Sequence, residues 1–272
     1  MTDLILPDCA ELLLDLSGGV LAVTLNRPAR RNAMNLAMVR ELLAVFDAIR
    51  DHRSVRAVVL SGAGDTFCAG ADVKDILAAR AAAAQSDSDP SFDINRSFGT
   101  LLASVDAAPQ VVIAVLRGSV LGGGLGLTCV SDIAIADGEA EFAMPETSLG
   151  IPPAQIAPFV VRRIGLTRAR LLALTGARVS GEEACRIGLV HFTAAGNDDI
   201  AAQLEAQLAL VRRCAPGANA MTKEILMSAG NTVPDSVLDQ AARAFSAAIR
   251  GDEGSEGTAA FAEKRRPRWA AR

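Results

Sequence analysis

Arg117-Gly-Ser-Val-Leu-Gly-Gly-Gly-Leu-Gly-Leu-Thr-Cys129 joins two apolar segments of different kinds. The short run at residues 111–115 predicts a buried strand, whereas the apolar run that follows the glycines is long enough for a helix. The glycines at 122–124 let a ligand approach the main chain closely. The N–H groups that open the helix have no partner within it and carry the positive end of its dipole. The stretch therefore predicts a strand-to-helix turn that can hold an anionic or polarised oxygen.

This turn is not one of the common nucleotide-binding loops. The third glycine of a Gly-x-Gly-x-x-Gly fingerprint is missing, and no Gly-Lys-Ser/Thr follows, as a P-loop requires. Glycine clusters are also frequent in tight turns without any chemistry. A functional interpretation thus needs a second element.

The second element is Phe67-Cys-Ala-Gly-Ala-Asp72, which follows an expected strand at residues 57–61 and precedes an expected helix at residues 73–84. Neighbouring parallel strands place such loops side by side at one end of a sheet, where ligands of open α/β folds bind. One backbone N–H from each loop can then converge on a single oxygen. That arrangement is an oxyanion hole built from main chain alone.

The alternation of apolar runs predicts an α/β fold with parallel strands and crossover helices. A hairpin is expected at the start, because Ser17-Gly-Gly19 separates two apolar runs. After Pro145 the only expected strand is residues 189–192. Strands are expected at residues 12–16, 20–25, 57–61, 111–115 and 132–136, and helices at 35–50, 92–105, 157–164, 167–174, 180–188, 198–213, 218–229, 233–250 and 255–264.

The composition argues against several classes of function. The chain has 272 residues, of which 50% are hydrophobic, and a net charge of -4, so a nucleic-acid or anionic-membrane partner is not expected. Its five cysteines form no Cys-x-x-Cys, which favours a reducing cytoplasm over a disulfide framework. With no signal peptide and no membrane-spanning run, we expect a cytoplasmic protein. His52 and His191 have no ligand or triad partners at suitable spacing, so we expect structural roles and no metal site.

Several segments together resemble the crotonase family, the enoyl-CoA hydratase/isomerase superfamily. The resemblance implies a spiral core of ββα repeats at residues 1–196 and a helical trimerisation region at 197–272, hence a homotrimer or hexamer. The matching segments are Leu25-Asn-Arg-Pro28, Arg31-Asn-Ala-Met34, Phe67-Cys-Ala-Gly-Ala-Asp-Val-Lys74, Leu121-Gly-Gly-Gly-Leu125, Ala143-Met-Pro-Glu-Thr-Ser-Leu-Gly150, Ser180-Gly-Glu-Glu-Ala184, Gly188-Leu-Val190 and Glu263-Lys-Arg-Arg-Pro267.

The resemblance also implies a substrate and its contacts. An acyl-CoA thioester would be held at its carbonyl by the amides of Ala71 and Gly123. Coenzyme A would be carried as part of the substrate, so no separate cofactor is expected. Its contacts would be Arg27, Arg30, Arg31, Ala69, Asp72 and, from this or a neighbouring subunit, Phe261 and Lys264.

One carboxylate is the candidate acid/base. Family hydratases often use two glutamates, but here Gly126 stands at the first position and only Glu146 is present, in Met144-Pro-Glu-Thr147. From the residues alone, a glutamate after Pro145 could simply interact favourably with the positive end of a helix dipole. With the resemblance, we expect Glu146 to act in hydration. The alternatives are Δ3,Δ2-enoyl-CoA isomerisation with Glu146 as sole proton shuttle, and a non-catalytic binding protein.

The Pro-rich segment at residues 149–161 indicates the substrate. It is similar to hydratases of 3-branched glutaconyl-CoA esters, the methylglutaconyl and isohexenylglutaconyl types. Such substrates carry a second carboxylate, which needs a cation or amide donors. Arg117 and Gln155 are candidates, although a solvated arginine and a helix-opening glutamine fit these positions equally.

Overall fold

A computed structural model describes residues 4–72, 74, 90–229 and 235–270. Its main sheet has six strands in the order β1-β2-β3-β4-β6-β9. β1 and β2 form the expected antiparallel hairpin, and every other neighbouring pair is parallel. The strands are β1 (Leu12–Ser17), β2 (Val20–Leu25), β3 (Ala57–Gly62), β4 (Val111–Leu116), β6 (Ile133–Asp137) and β9 (Phe192–Ala194).

Helices pack on both faces of this sheet. The larger apolar core includes Leu42, Leu101, Leu125 and Val160, one from each of the first four helices, and a smaller core on the other face includes Leu208. The helices are α1 (Leu36–Ile49), α2 (Pro90–Asp106), α3 (Gly123–Val130), α4 (Ala157–Thr175), α5 (Gly181–Arg186), α6 (Gly196–Arg213), α7 (Pro216–Ser228), α8 (Asp235–Arg250) and α9 (Asp252–Ala262).

The helix ends follow local chemistry. The Asn35 side chain accepts a hydrogen bond from the Met38 amide at 2.8 Å and so caps the start of α1. Ser180 accepts from the Glu183 amide at 3.2 Å, as the Ser-x-x-Glu pattern predicts for α5. The two helices expected at 157–164 and 167–174 are the two arms of α4, which bends at Gly165.

A second, three-stranded sheet was not predicted. It consists of β5 (Ser119–Leu121), β7 (Glu141–Ala143) and β8 (Val179–Ser180), with β5 and β7 parallel. These strands have only two or three residues, too few to produce a periodic apolar pattern. The small sheet matters because it joins the glycine-rich turn to the segment that carries Glu146.

One other expectation differs from the structure, and one falls on residues that the structure does not describe. The strand expected at 189–192 begins only at Phe192, because the Leu189 and Val190 amides instead donate to Ala184 O and close α5. The helix expected at 73–84 lies almost entirely outside the described residues.

Candidate active site

The two predicted loops lie side by side. Cys68 and Val120 form a parallel bridge, in which the Leu121 amide donates to Cys68 O at 2.9 Å. A methyl group placed on Gly122 would lie 3.6 Å from the Gly70 Cα, so the two backbones are in contact at these glycines. Ala71 and Gly123 each follow one of these two neighbouring glycines.

Within the described part of the chain, neither the Ala71 nor the Gly123 N–H donates a hydrogen bond. Ala71 lies opposite Met34 in a bridge, but the bonds of that bridge use the peptide groups of Gly70 and Asp72. Gly123 is the first residue of α3, where an N–H has no acceptor within the helix. Both amides are thus available to a ligand.

The small sheet sets the position of Glu146. The Gly122 amide donates to Ala143 O at 3.0 Å, which fixes the glycine turn against the end of β7, three residues before Glu146. A methyl group on Gly122 would lie 2.7 Å from Glu146 Oε1. Gly122 also has a φ of 47°, which disfavours any other residue. The carboxylate accordingly lies directly against the residue that precedes the Gly123 amide.

The Glu146 carboxyl group is half-buried, and its Oε2 is buried without a hydrogen-bond partner among the described residues. Burial disfavours the charged form and raises the pKa of Glu146 above its usual value. A buried polar atom without a partner is costly to keep and is uncommon away from functional sites. Such a carboxyl group is a candidate to accept and return a proton.

Gly126 has no room for a second glutamate. It is buried on α3, and a methyl group there would lie 2.5 Å from Ile156 Cγ2 and 3.3 Å from Leu102 Cδ1. The space that a side chain at 126 would need is therefore filled by apolar groups from α2 and from the turn before α4. The packing of Ile156 and Leu102 at this position therefore leaves no space for the first glutamate of the two-glutamate pattern.

We expect Gly126→Glu to lower the free energy of unfolding by about 3 kcal/mol, because the new side chain would clash with Ile156 and bury a charge among apolar groups. Urea denaturation followed by circular dichroism measures this. Gly126→Ala is the matched control, and its smaller overpacking should cost about 1 kcal/mol. Wild-type stability of the glutamate variant would show that this position is not closed.

Two apolar side chains that the sequence did not indicate lie against Gly123. A methyl group on Gly123 would meet Met34 Cε at 2.9 Å and Phe98 Cζ at 3.3 Å. Met34 belongs to a quoted motif but carried no predicted role, and Phe98 lies on a helix without a motif. They form an apolar cover next to the two amides.

Two of the predicted coenzyme A contacts pair with each other. Arg27 Nη1 lies 2.9 Å from Asp72 Oδ2, and Arg27 Nε lies 3.1 Å from Glu11 Oε2. Burial acts to raise the pKa of Asp72, but the Lys74 amide and the Arg27 guanidinium outweigh it and hold the pKa below its usual value. These charges tie the 27–33 loop to the loop that carries Ala71 and Asp72.

Arg30 and Arg31 are exposed beside this pair. The Ala69 amide donates to Arg31 O at 2.9 Å, so the loop that carries both arginines is fixed to the loop that precedes Ala71. The structure thus brings together Arg27, Arg30, Arg31, Ala69 and Asp72.

Phe261 and Lys264 have no polar connection to that group among the described residues. No hydrogen bond or ion pair among the described residues connects either of them to residues 27–72. Phe261 is 87% exposed at the end of α9. In this chain alone, neither residue is positioned by the site.

The remaining residues that the sequence singled out have their contacts in other parts of the structure. Arg117 donates from Nη1 to Asn197 Oδ1 at 2.8 Å, a contact with the start of α6. Gln155 lies against α2, where its Nε2 donates to Asn95 Oδ1 at 3.0 Å. His191 accepts from the Ala134 amide, and burial together with Arg163 lowers its pKa to about 4, which fits the expected structural role.

Within the described ranges, no three His, Cys, Asp or Glu side chains are grouped so that they could hold a metal ion. Among the same residues, no helix has the length and apolar character needed to span a membrane.

Comparison with known proteins agrees with this geometry. Residues 15–272 match the profile of the enoyl-CoA hydratase/isomerase family. The chain is 30% identical to the 2,3-dehydroadipyl-CoA hydratase of Escherichia coli, over 95% of this chain and 98% of that protein. It superimposes on Pseudomonas aeruginosa AtuE with a TM-score of 0.93 and 57% identity, covering 96% of this chain and 100% of the other.

A crystal structure of an enoyl-CoA hydratase/isomerase from Marinobacter aquaeolei gives a TM-score of 0.93 at 50% identity, covering 96% of this chain and 100% of that one. These matches confirm the predicted crotonase fold. They also favour an enzyme over a non-catalytic binding protein. The chain belongs to the enoyl-CoA hydratase/isomerase family and is an enzyme of that type.

Proposed function

We propose that this enzyme hydrates an α,β-unsaturated acyl-CoA whose acyl group is a 3-branched glutaconyl type, with Glu146 as acid/base. The observation that carries the proposal is the half-buried carboxyl group with an unpartnered oxygen, beside two unused backbone amides. One ionisable group and two donors are the minimum that this chemistry requires.

The amides of Ala71 and Gly123 would bind the thioester oxygen. When water adds to C3, negative charge moves onto that oxygen and the thioester becomes an enolate. Two backbone N–H donors held at that position would stabilise the charge without reorganisation. Met34 and Phe98 would exclude bulk water from the acyl side and strengthen those hydrogen bonds.

Glu146 would perform both proton transfers. Its carboxylate takes a proton from the water whose oxygen bonds to C3, and the carboxyl group so formed then gives a proton to C2 of the enolate. The net change is addition of H and OH across the double bond, with Glu146 returned to its starting state. The raised pKa makes the Glu146 carboxylate a stronger base for the first transfer than a solvated glutamate would be.

Coenzyme A would enter as part of the substrate. Arg30 and Arg31 are exposed cations suited to phosphate groups, whereas Arg27 is engaged by Glu11 and Asp72 and would act by shaping the loop. No separate cofactor takes part in the proposed reaction.

The glutaconyl assignment rests on the acyl end of the site. The Escherichia coli relative acts, by its name, on 2,3-dehydroadipyl-CoA, an enoyl thioester with a second carboxylate. The Gln155 amide, which donates to Asn95 on α2, would supply a donor for that carboxylate.

Enoyl-CoA isomerisation is the second candidate, favoured by the closed space at Gly126. A single carboxylate can remove a proton from C2 of a β,γ-unsaturated thioester and return it at C4, and this reaction needs no second group to hold water.

A substrate panel in water labelled with oxygen-18 separates the two reactions. We expect 3-methylglutaconyl-CoA to gain one labelled oxygen and crotonyl-CoA to react more slowly. Turnover of 3-hexenoyl-CoA to the conjugated isomer without label, with no hydration of either other thioester, would favour the isomerase.

We also propose a homotrimer or hexamer. Leu238, Phe245 and Ile249 share one exposed face of α8, and Phe245 is 70% exposed. Sedimentation equilibrium should give three or six times the chain mass of 28.2 kDa. Phe245→Glu should lower that mass and the control Gln240→Glu should not; a monomeric wild type would contradict the assignment.

A further inference from the structure

Gly99 on α2 makes room for one particular side chain. It is buried, and a methyl group there would lie 1.9 Å from Gln155 Oε1 and 2.7 Å from Gln155 Cδ. Any larger residue at 99 would displace the terminal amide of Gln155. The glycine therefore keeps this amide against the helix.

The side-chain amide of Gln155 is hydrogen-bonded to that of Asn95. Gln155 Nε2 donates to Asn95 Oδ1 at 3.0 Å. Asn95 precedes Phe98 by three residues and Gly99 by four, so all three lie on one face of α2. The Phe98 ring covers the position of Gly123, which places the amide pair one helical turn further from the oxyanion amides along the same face.

The turn before α4, which carries Gln155, also packs against α3. Ile156, the residue after Gln155, contacts the position of Gly126 on α3. Gln155 and Asn95 thus lie next to Phe98 and Ile156, of which Phe98 contacts the position of Gly123. An acyl chain that starts at the two amides would pass Phe98 before it meets the amide pair.

The pair keeps unused donors. No acceptor for Asn95 Nδ2 is found among the described residues, and Gln155 Nε2 has a second hydrogen beyond the one given to Asn95. Asn95 is exposed, so these hydrogens are accessible to a ligand. An oxygen acceptor would complete the group.

We propose that the Gln155–Asn95 amide pair determines acyl specificity by binding an oxygen acceptor, the second carboxylate, at the far end of the substrate. This inference rests on the proposed hydration of a carboxylate-bearing thioester and adds the residues that select it. Gln155 and Asn95 bind the tail and leave the reacting atoms to Glu146 and the two amides.

The test compares kcat/KM for 3-methylglutaconyl-CoA, its ω-methyl ester and crotonyl-CoA. We expect Gln155→Leu to lower kcat/KM for the acid by about tenfold or more, as loss of a hydrogen bond to a charged group implies, and to change crotonyl-CoA by less than about twofold. Gly99→Ala should reproduce the selective loss without removing any polar group. A loss for the acid alone identifies a carboxylate, and a loss for acid and ester identifies a carbonyl oxygen.

Arg96→Leu is the matched control, since Arg96 is the adjacent exposed cation and donates instead to Thr100 Oγ1. An acid-selective loss in this variant but not in Gln155→Leu would overturn the inference. So would equal losses for all three thioesters. If the wild type hydrates crotonyl-CoA but neither glutaconyl compound, the proposed substrate fails as well; if it hydrates them and the variants keep the same ratios, only this inference fails.

Discussion

Glu146→Gln is expected to lower kcat for hydration about 10³-fold, while the Kd for the thioester changes by less than about threefold. The amide has nearly the shape of the carboxyl group but can neither take a proton from water nor return one to C2. The amides of Ala71 and Gly123 and the arginine-bearing 27–33 loop are untouched, so we expect binding to persist. Stopped-flow absorbance of the conjugated thioester and isothermal titration calorimetry measure the two quantities.

Glu141→Gln is the matched control. Glu141 lies on β7, five residues before Glu146, and pairs with Arg178 near the surface. We expect wild-type kcat from this variant. Loss of activity in both would point to damage of the small sheet, and activity in both would reject Glu146 as acid/base.

The dependence of kcat/KM on pH tests the role of Glu146 independently. Burial raises the pKa of Glu146 in the free enzyme, and the first proton transfer needs the ionised form. The value of kcat/KM should therefore fall as the pH drops through this raised pKa, at a higher pH than for a solvated glutamate. The residual activity of Glu146→Gln should lack that acid limb.

Removing one oxyanion donor should have the second largest effect. Lactic acid in place of Ala71, introduced as a backbone ester, deletes the N–H and leaves the side chain unchanged. We expect kcat to fall about 10²-fold to 10³-fold, equivalent to about 2.7–4 kcal/mol of transition-state stabilisation. Because this N–H donates to no described residue, the fold should lose little stability.

The matched control is the same ester at Ala69. That amide donates to Arg31 O at 2.9 Å, so the substitution should reduce stability by about 1 kcal/mol and leave kcat nearly unchanged. Equal effects of the two esters on kcat would mean that the loop, and not the Ala71 donor, matters for turnover.

The main features of the fold were predictable because each has a local signal. The apolar runs of β3 and β4 and the glycine junction at 122–124 placed the two loops at the same end of a parallel sheet, as the structure confirms. Ser180 and Asn35 cap helices close to where those helices were expected. These features depend on neighbours in sequence.

The rest depends on contacts between distant segments. The small sheet that brings Ala143 to Gly122 has strands of two or three residues, too short for a pattern. The filling of the Gly126 position by Ile156 and Leu102 joins three segments, and a glycine in the sequence does not reveal its neighbours. For the same reason, the sequence does not predict the contact between Gly99 and Gln155.

The most direct measurement is a crystal structure of the Glu146→Gln variant with 3-methylglutaconyl-CoA bound. We expect the thioester oxygen to lie within about 3.1 Å of the amide nitrogens of both Ala71 and Gly123, with the side chain at 146 facing C2 and C3 of the acyl group. A thioester oxygen bound to other donors, or a side chain at 146 turned away from the acyl carbons, would contradict it.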